Sequence, residues 1–172
     1  MKKLAILLVC LLLLTGFAQE PSLETVNDEI LQPVMTQVYS PVFTLPRDAA
    51  VTTMESPDAG TIYFCDGYTV TLRTLPGGDL DRTVVDTTGF SEEDLTLLKT
   101  RSEGFQRIQC VWSAVSEEGE QLGRLTVLDD GANHHVLSCM TPAADAAALA
   151  PEIQQLMDSF RLVTPEALDT GS

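Results

Sequence analysis

The sequence of 172 residues predicts an α+β fold, an antiparallel sheet of about six or seven strands with helices packed on it. Three observations carry the prediction. Apolar residues alternate through Phe105–Val115, Gln121–Leu128 and His134–Met140, and short Gly-containing turns separate these runs, which is the pattern of a three-stranded meander. Asp66-Gly67 joins two β-rich runs as a two-residue hairpin link. Near the end, Ile153, Leu156, Met157 and Phe160 form one apolar stripe at helical spacing.

The elements follow in chain order. Lys2 and Lys3 precede an apolar run from Leu4 to Leu14, and Gly16 and Ala18 supply small residues before Gln19. A run of that length suits the core of a signal peptide, whereas spanning a bilayer takes roughly 20 residues. Residues 1–18 are therefore expected to be a cleaved signal peptide, and the mature chain to be secreted or extracytoplasmic. Cys10 lies inside the apolar run, so it is no lipidation site. No later segment is apolar enough to span a membrane.

Residues 19–49 read as an N-terminal arm, with one or two helical turns over Leu23–Leu31 and then an extended, Pro-punctuated stretch. One α+β domain is expected over residues 50–163. Ala50–Met54 reads as an edge strand. Ile62–Cys65 and Tyr68–Leu72 flank the Asp66-Gly67 turn, both residues of which must tolerate positive φ. Asp79 caps a short helix that Gly89 stops. Its β-branched residues leave packing, not propensity, to hold it. Leu95–Thr100 is assigned as a strand, although Ser91 and Asp94 also suit the opening of a helix. Ser116-Glu117-Glu118-Gly119 and Asp129-Asp130-Gly131 turn the meander. After Thr141-Pro142 a short helical piece, Ala143–Leu149, precedes a helix with Pro151 in its first position. Residues 164–172 read as a frayed tail.

Charge narrows function. Loss of Lys2 and Lys3 with the signal leaves eight basic residues against twenty-five acidic ones, a net charge near −17 by counting. Such a surface repels phosphate backbones and anionic headgroups, so no nucleic-acid partner is expected.

No catalytic, cofactor-binding or metal-binding set emerges. His134 and His135 leave opposite faces of a strand and cannot share one ion. They are expected as a turn-proximal pair with at least one ring in solvent. His135 and Cys139 share a face but lie about 13 Å apart, too far for a base and its nucleophile. The acid pairs Glu92-Glu93-Asp94, Glu117-Glu118 and Asp129-Asp130 sit in hydrophilic turns where solvent screens them. Asp129–Asn133 has oxygen ligands for calcium but lacks an EF-hand spacing, and a hairpin turn is expected. Trp112 packs in the core. Tyr63, Phe64 and Tyr68, around the first hairpin turn, are the candidate partner-contact residues, as an exposed aromatic tip.

Three cysteines remain in the mature chain. The meander places one strand between Cys110 and Cys139, so their backbones stand about 9.5 Å apart, beyond the roughly 7 Å a disulfide allows. Cys65–Cys139 is the pairing left open. Three free thiols are the main expectation, with Cys65 the most reactive.

Gln121-Leu122-Gly123-Arg124, the strand His134–Met140 after its Asp-Gly turn, and Gln155-Leu156-Met157-Asp158-Ser159-Phe160-Arg161-Leu162 together resemble the end of PsbP-like exported domains. The early hairpin followed by Gly-Gly-Asp-Leu-Asp and a short helix fits the same order, and the resemblance covers roughly residues 60–163. It implies a PsbP-like sandwich and an accessory or binding role, with no catalytic set to carry over. The expected function is an exported, non-catalytic binding or accessory module, using a surface or groove between sheet and helix. Its partner is another extracytoplasmic protein or a small ligand, and no cofactor is expected. The alternatives are a secreted hydrolase with dispersed acidic residues and a structural component of the cell envelope.

Overall fold

The computed structural model describes residues 38–46, 52–56, 60–117 and 119–165. The expected signal peptide, most of the arm and most of the tail lie outside these residues. Among the described residues the strands and helices follow in order: β1 Ser40–Val42, β2 Thr52–Ser56, β3 Gly60–Cys65, β4 Tyr68–Pro76, α1 Leu80–Thr88, β5 Leu98–Ser102, β6 Phe105–Ser116, β7 Gly119–Asp129, β8 Asn133–Pro142, α2 Ala146–Ser159 and β9 Arg161–Val163. A 3₁₀ turn, Glu92–Asp94, precedes β5. Strands β2 to β8 form one antiparallel sheet of seven strands in the order β2-β3-β4-β8-β7-β6-β5. The fold is thus α+β, and the β6-β7-β8 meander stands as expected.

Alternation along the strands divides the core between the two faces of the sheet. On one face Tyr68, Val70, Leu128, Leu137 and Cys139 meet Ile153, Leu156 and Met157 of α2 together with Phe160. On the other, Ile108, Cys110, Trp112, Leu125, Val127 and Val136 meet Val84 of α1. We call these the α2 face and the α1 face. Asp79 caps α1 as expected, its carboxylate accepting from the amides of Asp81 at 3.0 Å and Arg82 at 3.3 Å. Among the described residues no helix is long and apolar enough to cross a membrane.

Local departures have physical causes. In the Asp66-Gly67 turn only Gly67 takes a positive φ, of 80°, so the link does not need both residues in that region. Thr141 Oγ1 donates to the Gly67 carbonyl at 3.0 Å and ties the turn to the end of β8. The stretch Leu95–Thr100 is divided. Ser91 Oγ donates to Asp94 across the 3₁₀ turn, at 2.6 Å, and pairing with β6 begins only at Leu98. Leu95 and Leu97 instead pack over the α1-face core.

Pro151 lies inside α2 and does not open a second helix. It lacks an N–H for the Ala147 carbonyl, but Ala147 is exposed, so water can meet that one acceptor. The alanines before it offer little bulk against the ring. Residues 38–46, read as part of the arm, lie on the domain: β1 pairs with β9, and the Thr44 amide donates to Ser159 Oγ at 2.8 Å. Strand β9 went unforeseen because three residues carry no detectable period.

Candidate functional site

Strand β8 enters the sheet from the Asp129-Asp130 turn carrying two histidines on opposite faces. His134 points to the α1 face, where its Nδ1 lies 2.7 Å from Thr83 Oγ1. His135 points to the α2 face, with Nε2 at 2.8 Å from Asp130 Oδ2 and Nδ1 at 3.2 Å from Thr74 Oγ1. Both rings are buried, which corrects the expectation that at least one would be in solvent. Helix α1 closes over one ring, and the turn folds Asp130 back over the other. With both nitrogens of His135 engaged, none remains for Cys139. Nε2 of His134 is buried without a hydrogen bond, 3.9 Å from Asp129 Oδ1.

Asp130 also departs from expectation, since its side chain is only 2% exposed and is not screened by solvent. Burial alone would raise its carboxyl pKa. The His135 ring and the amides of Asn133 and Ala132 outweigh that, leaving it below the usual carboxylate value. Oδ1 of Asp129 accepts from the Gly131 amide at 2.8 Å, and Oδ1 of Asp130 from Ala132 at 2.8 Å and Asn133 at 2.7 Å. These oxygens therefore shape a hairpin turn. Among the described residues no group of three or more His, Cys, Asp or Glu side chains is set to hold a metal ion.

The three aromatics of the first hairpin do not form one tip. Tyr63 and Tyr68 alternate onto the α2 face and Phe64 onto the other. Tyr68 is 4% exposed, and its hydroxyl donates to Glu152 Oε1 at 2.6 Å. Burial, then that bond to a carboxylate, pushes the phenol well above the usual tyrosine range. Tyr63 is half-buried, edge-on to Phe43 with ring centroids 5.2 Å apart. Only Phe64, 43% exposed, meets solvent substantially.

Cys65, Cys110 and Cys139 are all free. Strand β4 separates β3 from β8, so Cys65 and Cys139 stand two strand spacings apart, as Cys110 and Cys139 do. The pairing left open by the sequence is thus closed by the strand order. Burial raises all three thiols, to about 11 for Cys110 and about 12 for Cys139.

The residues of the feature best suited to function, a groove beside a helix, went unmarked in the sequence. Helix α2 covers the middle of its face but leaves the β5-β6-β7 end open. There a groove of about 420 Å³ runs beside the helix, lined by Thr96, Leu98, Gln109, Val111, Arg124, Thr126, Gln154 and Met157 among others. Its size lies in the range of small-molecule sites. Leu98 and Val111 stand 58% and 52% exposed at its mouth. Inside, Gln109 donates to Thr126 at 3.3 Å, and Arg124 Nη1 donates to Gln154 Oε1 at 3.0 Å. Near one end, Arg107 Nη2 donates to the Met157 carbonyl at 3.0 Å and ties β6 to the helix. The available signal was Val111, an apolar residue out of phase with Ile108, Cys110 and Trp112.

No protein-family model matches the sequence, and no curated protein does either. Among solved structures, the chain is similar to PsbP (CyanoP) of the cyanobacterium Synechocystis sp. PCC 6803, with a TM-score of 0.51 at 9% identity. That likeness covers 76% of this chain and 96% of the other. Weaker likenesses are to LpqN of Mycobacterium tuberculosis, involved in cell envelope biogenesis, with a TM-score of 0.49, 13% identity, and 75% and 86% of the two chains covered. The Ran-binding protein Mog1p of Saccharomyces cerevisiae gives 0.48, 15%, and 76% and 98%. An antiparallel sheet with a helix on each face is the class these features define. Within that class the fold is PsbP-like.

Proposed function

We propose that this protein is an exported accessory module that holds a ligand or an extracytoplasmic partner in the groove beside α2. The observation that carries this reading is the uncovered end of the α2 face, where Leu98 and Val111 expose apolar surface next to Arg124. A sheet face that ends its core in an open, mixed apolar and polar trough is suited to binding. A PsbP-like fold is consistent with an accessory role, though a fold is only a prior for function. The hydrolase reading is disfavoured because, among the described residues, none that lines the groove is a carboxylate. Of the three hairpin aromatics, Phe64 alone keeps a place in this proposal, as a smaller contact point on the opposite face. Export rests on the signal-like residues 1–18, and secreted material should have the mass of a chain beginning at Gln19.

A photo-crosslinking residue at position 98 or 111, introduced in the producing organism, tests the binding reading. Discrete adducts from these positions, absent from a control at exposed Glu93, are expected. Equal labelling from both surfaces, or none from either, would remove the groove as the working site.

A further inference from the structure

We propose that the groove binds an amphiphilic carboxylate of the fatty-acid type, with Arg124 on the carboxylate and Leu98, Val111 and Met157 along the tail. This deepens the reading above and rests on it.

The charge of Arg124 is the starting point. The chain carries 25 acidic and 10 basic residues, so an arginine here has carboxylates in abundance to pair with. Lys99 takes two, Asp81 at 2.7 Å and Glu92 at 3.2 Å. Arg124, like Arg73, Arg101, Arg107 and Arg161, has no carboxylate within 4 Å of its nitrogens among the described residues, but of these it is the one that lines the groove, where its hydrogen bond goes to neutral Gln154. Gln154 is itself held by a bond to Asp158 at 2.9 Å, so the guanidinium is positioned without being neutralised. A guanidinium has five N–H donors in a fixed fork that matches a carboxylate in two-point fashion. Partial burial against apolar walls strengthens such a pair relative to water.

The rest of the groove supplies the tail. Met157 forms its buried floor, and Leu98 and Val111 its exposed rim. A volume of about 420 Å³ suits one small chain. An added peptide strand is the less suitable occupant. The neighbouring edge strand β5 carries Lys99 and Arg101, and charged side chains on an edge oppose strand addition.

Calorimetric titration with decanoate, decanol and decyltrimethylammonium separates the contributions, since the three share a tail and differ in the head. Decanoate is expected to bind saturably at one site and at least tenfold more tightly than decanol, and the ammonium more weakly than both. Arg124→Gln should lower decanoate affinity at least tenfold and leave decanol within about twofold, while Arg124→Lys restores part of the loss. Val111→Glu, at an exposed position, should weaken both ligands. Thermal melts of each variant check that the fold is intact. Equal affinity for the three heads, an unaffected Arg124→Gln variant, or no saturable binding of decanoate would each overturn the proposal. Groove crosslinks that persist while decanoate fails would sink this inference alone, whereas loss of both would sink the binding reading too.

Discussion

The indole of Trp112 lies across Gly123, its directly opposed partner on β7, and ring carbons occupy the place where a Cβ on Gly123 would stand. The glycine is what allows the ring to lie flat on the sheet, and the ring covers backbone that a glycine leaves bare. Trp112 is 8% exposed in the α1-face core. Trp112→Ala is expected to cost roughly 3–5 kcal/mol, and Gly123→Ala about 1–3 kcal/mol by overpacking. The double variant should cost less than the sum, because the added methyl then fills vacated space. Chemical denaturation of the four proteins measures this, and strict additivity would refute the contact.

Asp130 gives the fold a dependence on acid. Its folded pKa lies below the ordinary carboxylate value, so the stability it contributes is complete above the unfolded pKa and vanishes as pH falls through the folded one. Asp130→Asn should be less stable at pH 7 by about 1–3 kcal/mol, the range for a lost bond to a charged group. The difference from wild type should shrink as pH falls below about 4. Thermal melts between pH 7 and 2 provide the check. A constant difference would mean that the carboxylate charge contributes nothing.

Tyr68 is predicted to act in the core. Tyr68→Phe keeps the ring and removes the hydroxyl that Glu152 accepts from, at an expected cost of roughly 1–3 kcal/mol. Tyr68→Phe/Glu152→Gln should show coupling of 0.5 kcal/mol or more in a double-mutant cycle. Binding through the groove, which neither residue lines, should not change.

Thiol labelling should proceed in the order of burial. At pH 8 Cys65 is expected to react first. Cys110, raised to about 11, and Cys139, raised to about 12, should wait for unfolding. Peptide mapping after labelling gives the order, and any disulfide-linked peptide among the three would contradict the strand order.

Much of this architecture was legible in local pattern. The meander announced itself because one face of each strand is buried, so alternation persists over many residues. Helix α1 was readable from Asp79 and Gly89, since capping depends on a few neighbouring atoms. Features that depend on partners distant in sequence were not. Strand β1 is a strand only because β9 lies beside it, and Leu95 and Leu97 keep the alternation onto the α1-face core but lie before the pairing of β5 with β6 begins.

The candidate site divides the same way. That His134 and His135 face apart follows from the two-residue period of a strand, and the sequence alone determines it. Whether either ring is buried was decided by α1 on one side and by the folded-back Asp130 on the other. The cysteines make the same point: counting leaves Cys65–Cys139 open, and the placement of β4 between β3 and β8 closes it. The groove is wholly a tertiary product. Nothing in Arg124 or Val111 marks them locally, because what leaves their end of the face open is where α2 stops covering the sheet, and that position is set by packing among residues far apart in the chain.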